Sequence, residues 1–393
     1  MNHLLFCYHT CPMEEPGVGL SGGMNVFLRG LLPGLAAQGI RTDVLTRGKG
    51  EEPEVSRPFP GVRIFHLPCG WREPSTRESA VDSLPRFVGS ARDLLAKRAS
   101  LYDVVSAHYW MSGIACLEAG LRLPPPVFSY HTIEALKEGA APASAPGLSA
   151  VRRAVEGRLS REASRVVCFS GNDLARTVEI FPSAAGKGAV IPPGIDDGFR
   201  APPPRAEARR MRGIPSGCFL FLLAARKDPG KNVDAAIDAF RALRSEEGAR
   251  LRLLVAGQKP PPGRLPDGVA CAGPVPHAEM PGLLAAADAV LCPSSYESFG
   301  LVPLEAMAAG RPVIAPWTGF WGDTIRAEGG GAGYAPDAPS GLVDAMRAVC
   351  RDEALRARLA GEGVKIAARF TWETCTSSWA ALLSSAARSG SPR

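Results

Sequence analysis

Two carboxylates stand either side of a glycine in Tyr296-Glu297-Ser298-Phe299-Gly300-Leu301-Val302-Pro303-Leu304-Glu305. The run follows an apolar stretch ending in Cys292-Pro293-Ser294 and leads into a helix expected over 302–309, closed by Gly310. Pro303 fits a first helical turn, where its missing N–H costs little. The N–H groups of Phe299, Gly300 and Leu301 then have no partner inside the helix and point outwards. They form a cradle for an anion, to which the helix dipole adds about 0.3–1 kcal/mol, up to about 2 when buried. Glu297 before the helix and Glu305 within it reach one ligand only if that ligand spans several ångströms. A strand, a loop and a helix with a capping glutamate would give the same spacing, so this segment alone leaves both readings open.

A second group of charges, Arg226-Lys227-Asp228-Pro229-Gly230-Lys231-Asn232, follows the apolar run 219–225. If that run is a strand, its carboxyl end delivers Arg226 and Lys231 to the crevice where open α/β sheets bind ligands. Two cations there neutralise a diphosphate, each charge-assisted contact contributing roughly 1.5–3 kcal/mol. Taken alone, the pair reads more simply as a solvated basic loop. A third signal is Gly22-Gly23-Met24-Asn25, after one strand and before a helix, where glycine lets a phosphate approach the backbone. It is not G-x-G-x-x-G, so the dinucleotide fingerprint is missing. His131, in Tyr130-His131-Thr132, closes a further apolar run. By itself it reads as a hydrogen-bonded histidine at a strand end.

The elements that would position these residues alternate along the whole chain. Strands are expected over 4–8, 41–46, 62–66, 103–107, 127–131, 165–170 and 189–191, then over 219–225, 251–256, 269–272, 289–292 and 312–315. Many are continuous apolar or β-branched runs, as buried parallel strands are. Two successive strand–helix series imply an α/β protein of two doubly wound domains. Their junction falls at Pro192-Pro193-Gly194-Ile195-Asp196, giving domains 1–193 and 194–370. The tail 371–393 carries an apolar face of Trp372, Trp379, Leu382 and Leu383 and is expected as a helix. A helix over 23–38 places Phe27, Leu31 and Leu35 on one side, with Pro33 expected to kink it or end it early.

Composition narrows the classes. Of 393 residues, 46% are hydrophobic and 21% charged, which supplies two cores and excludes a disordered polyelectrolyte. Lys+Arg 45 against Asp+Glu 39 leaves a net +6. Spread over so large a surface, that excess argues against a nucleic-acid binder and leaves room for an anionic small molecule. No apolar run approaches the ~20 residues of a membrane span, and the first residues lack the pattern of a signal peptide. The ten cysteines form no C-x-x-C pair and share no ligand spacing with the six histidines. They read as small hydrophobes in a reducing compartment, not as a metal site. The expectation is a cytoplasmic protein without integral membrane contact; a homodimer stays open.

In this order, the three chemistry-bearing segments resemble those of the retaining glycosyltransferases of the GT-B fold, family four, over nearly the whole chain. Ser106-Ala107-His108-Tyr109-Trp110-Met111-Ser112-Gly113 and Tyr130-His131-Thr132 are most similar, within that family, to the inositol-phosphate transferases of mycothiol synthesis. Sucrose-phosphate synthases share similar patches. The resemblance implies two Rossmann-like domains facing an inter-domain cleft, with closure about residues 192–196. The first domain, joined by the 371–393 helix, would take the acceptor and the second a nucleotide-sugar. Arg226 and Lys231 would hold the donor diphosphate and stabilise the departing nucleotide. Gly22, Gly23 and the amides at Phe299, Gly300 and Leu301 would line the phosphates and the transferred sugar. Glu297 would bond a sugar hydroxyl, Glu305 would accept from the ribose, and His131 would stand beside the anomeric carbon. The donor, a UDP- or GDP-sugar, is a substrate, and no separate cofactor is implied. No Asp-x-Asp metal motif is apparent, consistent with leaving-group stabilisation by cations and a helix N-terminus. No carboxylate is placed as a glycosidase-type nucleophile, so same-face substitution with retention is expected.

For a small polar acceptor the resemblance points to Tyr109 and Thr132, with Asn25, Arg77, Lys137 and Arg153 completing the lining and the adjacent Arg152 left open. The sequence also departs from the family. Thr318-Gly319-Phe320-Trp321-Gly322-Asp323 stands where a Gly-Gly turn, a small apolar residue, Pro and Glu are usual, and Trp71 and the 71–86 loop add bulk. Local aromatic packing is one account. The other is an altered donor or acceptor, as in a secondary-metabolite pathway acting on an aminocyclitol, a sugar or a thiol. An inositol phosphate and these acceptors remain open together. A nucleotide-sugar-binding module without turnover is the reading from another class.

Overall fold

The computed structural model describes every residue except 18–20, 71–76, 120–122, 141–145, 227, 261–262, 339 and 391–393, and leaves aside the side chains of 77–79, 140, 146, 389 and 390. The chain forms two compact units. One comprises residues 1–138, 143–194 and 372–393, the other 139–142 and 195–371.

The first unit is built on strands β1 (Asn2–Phe6), β2 (Arg41–Gly48), β3 (Glu54–Phe59), β4 (Val62–Pro68), β5 (Val104–His108), β6 (Val127–Ser129), β7 (Arg165–Cys168) and β8 (Gly188–Val190). Their order is β3-β4-β2-β1-β5-β6-β7-β8, parallel except for β3. The chain winds outwards from β1 and returns to β5 on its other side, so the β1/β5 boundary is the switch point at which such sheets bind ligands. Strand β3 was not expected: it pairs antiparallel with β4 at the sheet edge, and its mostly exposed residues carry no apolar run.

The second unit holds β9 (Phe219–Ala224), β10 (Leu251–Ala256), β11 (Val269–Gly273), β12 (Ala289–Leu291), β13 (Val313–Pro316) and β14 (Gly331–Tyr334). All are parallel, in the order β11-β10-β9-β12-β13-β14, with the switch point between β9 and β12. Strand β14 also escaped the sequence pattern. Its glycines look like a turn, yet a Cβ at Gly331 would lie 2.4 Å from the Val313 carbonyl oxygen, so only glycine fits against β13.

Each sheet has its own core. Phe6, Tyr8, Phe87 and Phe128 are fully enclosed in the first unit, and Phe221, Leu253 and Met346 in the second. Such side chains contribute about 1.5–3 kcal/mol each. The helix Gly23–Ala37 continues past Pro33 and does not end there. Proline withdraws one hydrogen bond, while buried Leu31, Leu32 and Leu35 on either side hold the helix to the sheet. The last helix, Trp372–Gly390, lies along it. A Cβ at Gly30 would come within 2.2 Å of the Trp372 ring and one at Gly34 within 2.2 Å of Thr376. Trp379 is wholly buried against Phe27 and His108. Part of the expected 71–86 loop is helical, over Arg77–Asp82 and from Leu84 onwards; Trp71 lies outside the described residues. Among the described residues no helix is long and apolar enough to cross a membrane.

Candidate active site

In the second unit the loops after β9 and β12 are sewn together at the switch point. Beyond β9, Asp228 caps a short turn, Pro229–Lys231, by accepting from the Gly230 N–H at 3.0 Å. Asn232 adopts the left-handed region (φ 51°) and opens the helix Val233–Glu247. Its carboxamide donates to the Pro293 carbonyl (2.8 Å) and to Ser295 Oγ (2.7 Å), and the Ser295 N–H donates back to the Gly230 carbonyl at 2.9 Å. This stitching sets Lys231 against Glu297, whose Oε1 accepts from the ammonium. Arg226 is exposed just past the end of β9.

Gly300 (φ 86°) opens the helix Leu301–Ala308, one residue earlier than expected, and no side chain caps that end. The Trp321 indole Nε1–H donates to the Gly300 carbonyl at 2.8 Å. Phe299 stacks on Phe320 with ring centroids 5.1 Å apart and meets Trp321 and Phe370 edge-on. The unusual Phe320-Trp321 pair therefore packs beneath the amide cradle and pins its glycine. Glu305 is buried, and its Oε1 lies 2.9 Å from His277 Nε2. The other ring nitrogen of His277 is 3.9 Å from Asp196, and the ring rests on Phe199.

In the first unit the loop after β1 is built around Asn25. Its carboxamide donates to the Cys11 carbonyl (2.6 Å) and Thr10 Oγ1 (3.3 Å) and accepts from the Gly22 N–H (3.0 Å). Asn25 is fully buried. It braces Gly22 and the loop from Thr10 to Cys11 from within. Gly22 itself is extended (φ −168°).

Strands β5 and β6, adjacent in the sheet, run into Tyr109 (φ 74°) and His131 (φ 59°). Left-handed backbone at a tyrosine and a histidine is costly and concentrates at functional sites. His131 Nε2 lies 2.9 Å from His108 Nδ1, and the ring packs against Phe27 and Phe169. Burial lowers the His131 pKa to about 3. Burial, then the neighbouring His131 and His3, lowers His108 well below the usual histidine range. Both rings are neutral at pH 7, so one donates to the other.

The arginine gathered with Tyr109 and Thr132 is Arg152. Its Nη1 donates to the Tyr109 hydroxyl at 3.2 Å, and its Nη2 to the Thr132 carbonyl and hydroxyl at 2.7 and 2.9 Å. Arg153 is exposed and paired with Glu138 instead. Neighbours on a helix point about 100° apart, so only one of the two can face the sheet. Lys137 sits partly buried on the helix Glu134–Ala140. The side chain of Arg77 lies outside the described part of the molecule.

Residues 204–365 match the family Glycosyl transferases group 1, and residues 22–194 the Glycosyl transferase 4-like domain. The D-inositol 3-phosphate glycosyltransferase of Kineococcus radiotolerans is 32% identical over 94% of this chain and 91% of its own. That of Actinosynnema mirum is 33% identical over 94% of each. The chain belongs to the group 1 glycosyltransferases.

Among solved structures, the sucrose-phosphate synthase of Thermosynechococcus elongatus superposes with a TM-score of 0.85 at 26% identity, covering 98% of both chains. The lipopolysaccharide glycosyltransferase WaaG follows the same fold with a TM-score of 0.75 at 18% identity, over 97% of this chain and 99% of its own. The architecture of this glycosyltransferase is thus GT-B, as its motifs led one to expect. In the sequence Arg152 stood only as an open neighbour of Arg153, Trp321 as an unusual aromatic, His108 within a motif without a role, and His277 went unnoticed. Arg152 had one usable signal, its i,i+4 spacing from Glu156. His277 had none.

Proposed function

We propose that this glycosyltransferase moves a sugar from a nucleotide-diphosphate sugar to a hydroxyl of a small polyol, with retention of anomeric configuration and without a metal ion. The second unit takes the donor and the first unit the acceptor. The observation that carries the reading is the meeting of Lys231 with Glu297 beside a helix start that no side chain caps. As the glycosidic bond lengthens, negative charge grows on the diphosphate. Lys231, Arg226 and the amides at Phe299, Gly300 and Leu301 stabilise it in place, the kind of preorganised electrostatics that lowers such barriers most. Glu297 aims the Lys231 ammonium and accepts from a sugar hydroxyl. Glu305, held by His277, accepts from the ribose. His131, neutral at working pH, offers a hydrogen bond to the sugar and adds no charge to an oxocarbenium-like centre. The departing phosphate oxygen takes the acceptor proton on the same face, which yields retention.

The name of the curated relatives supports a cyclitol as acceptor. We place the reaction in the cytoplasm, in keeping with cysteines that are mostly buried as hydrophobes. A thermal-shift panel of UDP-, GDP- and ADP-sugars should show one stabilising donor. Mass spectrometry of an acceptor mixture should then show a glycosylated polyol, and NMR the donor's anomeric configuration, with chelator present. No stabilising donor, an inverted product or loss of turnover to chelator would each refute the corresponding part.

A further inference from the structure

Arg152 lies inside a cage of oxygens. Its Nε meets Glu156 Oε1 at 2.6 Å, its Nη1 meets Glu134 Oε2 at 2.8 Å and the Tyr109 hydroxyl at 3.2 Å, and its Nη2 bonds both oxygens of Thr132. The guanidinium also lies over the Tyr109 ring, 4.9 Å from its centroid. Every nitrogen is engaged. Arg152, Glu134 and Glu156 are all buried. Both carboxylates are fixed from a second side: the Ser149 hydroxyl donates to Glu134 Oε1, and the Glu134 N–H donates to Glu156 Oε2 at 3.0 Å.

The charge balance follows from this geometry. Burial works against the Arg152 charge, but Tyr109, Glu156 and Glu134 more than offset it, so the guanidinium stays protonated. Burial raises the Glu156 pKa, against the pull of Arg152. One cation thus faces two carboxyl groups, and the cluster is neutral or negative. The next cation on the same helix, Arg153, is turned to Glu138. On the helix Glu134–Ala140, Lys137 stands between Glu134 and Glu138. A phosphate arriving at Tyr109 and Thr132 would have to pull Arg152 from its carboxylates, stranding buried charge, or lie beside Glu134 while Arg152 stays engaged.

Building on the transferase reading above, we propose that the acceptor group seated at Tyr109 and Thr132 is not a phosphate, and that the acceptor is an unphosphorylated polyol, with an amine-bearing cyclitol the best fit. The Tyr109 and Thr132 hydroxyls accept from Arg152 and keep their own protons to donate to a hydroxyl oxygen on the cyclitol. Glu134 supplies the acceptor for an ammonium or a hydroxyl. This chain thereby departs from the phosphorylated substrate in its relatives' name.

The test measures kcat/KM, at saturating donor, for myo-inositol, an amino-inositol and inositol 3-phosphate. The two phosphate-free rings should exceed the phosphate by about tenfold or more. A phosphate that is used equally well or better overturns the proposal, as does turnover of none of the three while donor hydrolysis proceeds. Glu134→Gln should raise kcat/KM for inositol 3-phosphate about tenfold relative to myo-inositol; an unchanged ratio overturns the proposal. Calorimetric titration of the unaltered enzyme with inorganic phosphate, which needs no variant to fold, should show no binding at Tyr109–Thr132, and competition between phosphate and myo-inositol would overturn it. Loss of donor binding or donor hydrolysis would strike the transferase reading itself. A bound, hydrolysed donor with phosphate-preferring transfer would strike only this inference.

Discussion

Trp321→Phe separates two things that Trp321 does. The substitution keeps an aromatic ring among Phe299, Phe320 and Phe370 and deletes the indole N–H that holds the Gly300 carbonyl at 2.8 Å. A neutral hydrogen bond contributes about 0.5–1.5 kcal/mol net, and a carbonyl stranded in a part-buried site raises the loss towards about 1–3 kcal/mol. For a domain of this size that is about 2–4 °C of Tm per kcal/mol, hence a fall of about 2–12 °C. Gly300 sits in the left-handed region at the start of its helix, so freeing its carbonyl also frees the direction of the Phe299–Leu301 amides. Nucleotide binding should therefore weaken by about tenfold, equivalent to about 1.4 kcal/mol. The assay is a thermal melt paired with calorimetric titration of the stabilising nucleotide. A lowered Tm with nucleotide affinity within about twofold of the parent would refute the reasoning and leave Trp321 as packing alone.

Arg226→Ala and Lys231→Ala should each lower turnover by about 10²–10³ in a donor-saturated transfer assay. Lys231→Ala should be the worse, because it leaves Glu297 unpaired beside the diphosphate; near-normal rates in both would remove the donor site. His277→Ala should raise the donor KM about five- to tenfold with kcat little changed, since Glu305 loses its orienting partner, and His277→Gln should recover part of the loss. Equal loss of kcat in both would contradict a positioning role. Burial lowers His3 to about 3, against an ordinary value near 6.5. The unfolded chain therefore takes up this proton first: stability is full above pH ~6.5 and falls as the pH drops towards ~3, by about 2 kcal/mol at pH 5. Asp173, raised to about 6 by burial, gains its proton in the folded state over part of that range and offsets some of the loss. Comparing the parent with His3→Asn in denaturant melts at pH 7 and pH 5 isolates the histidine, and identical pH slopes would count against it.

The strands were legible because parallel sheets bury both faces and leave continuous apolar runs, as in Phe219–Ala224. The same logic failed at β3, an exposed edge, and at β14, whose glycines answer to the neighbouring backbone and to no pattern of their own. Glu297 and Lys231 could be named because each sits at a fixed offset from a strand end. Their pairing with each other could not, since it depends on Asn232 and Ser295 stitching two loops far apart in the chain. The choice between Arg152 and Arg153 turns on helix rotation, which composition and motif do not encode. The bracing of its loop by Asn25 was not legible, because a buried carboxamide that holds backbone looks, in sequence, like one awaiting a ligand.

The helix Trp372–Gly390 leaves the ribosome only after the whole second unit, yet it covers the helix Gly23–Ala37 made before that unit. At ~5–20 residues per second, translating the intervening unit takes roughly 10–35 s. Throughout that interval the nascent amino-terminal body exposes Phe27 and the Gly30–Gly34 groove that Trp372, Thr376 and Trp379 will later fill. Biogenesis therefore closes like a ring: the first unit waits for a helix made after the second, and a premature stop codon ahead of Trp372 injures the part already made.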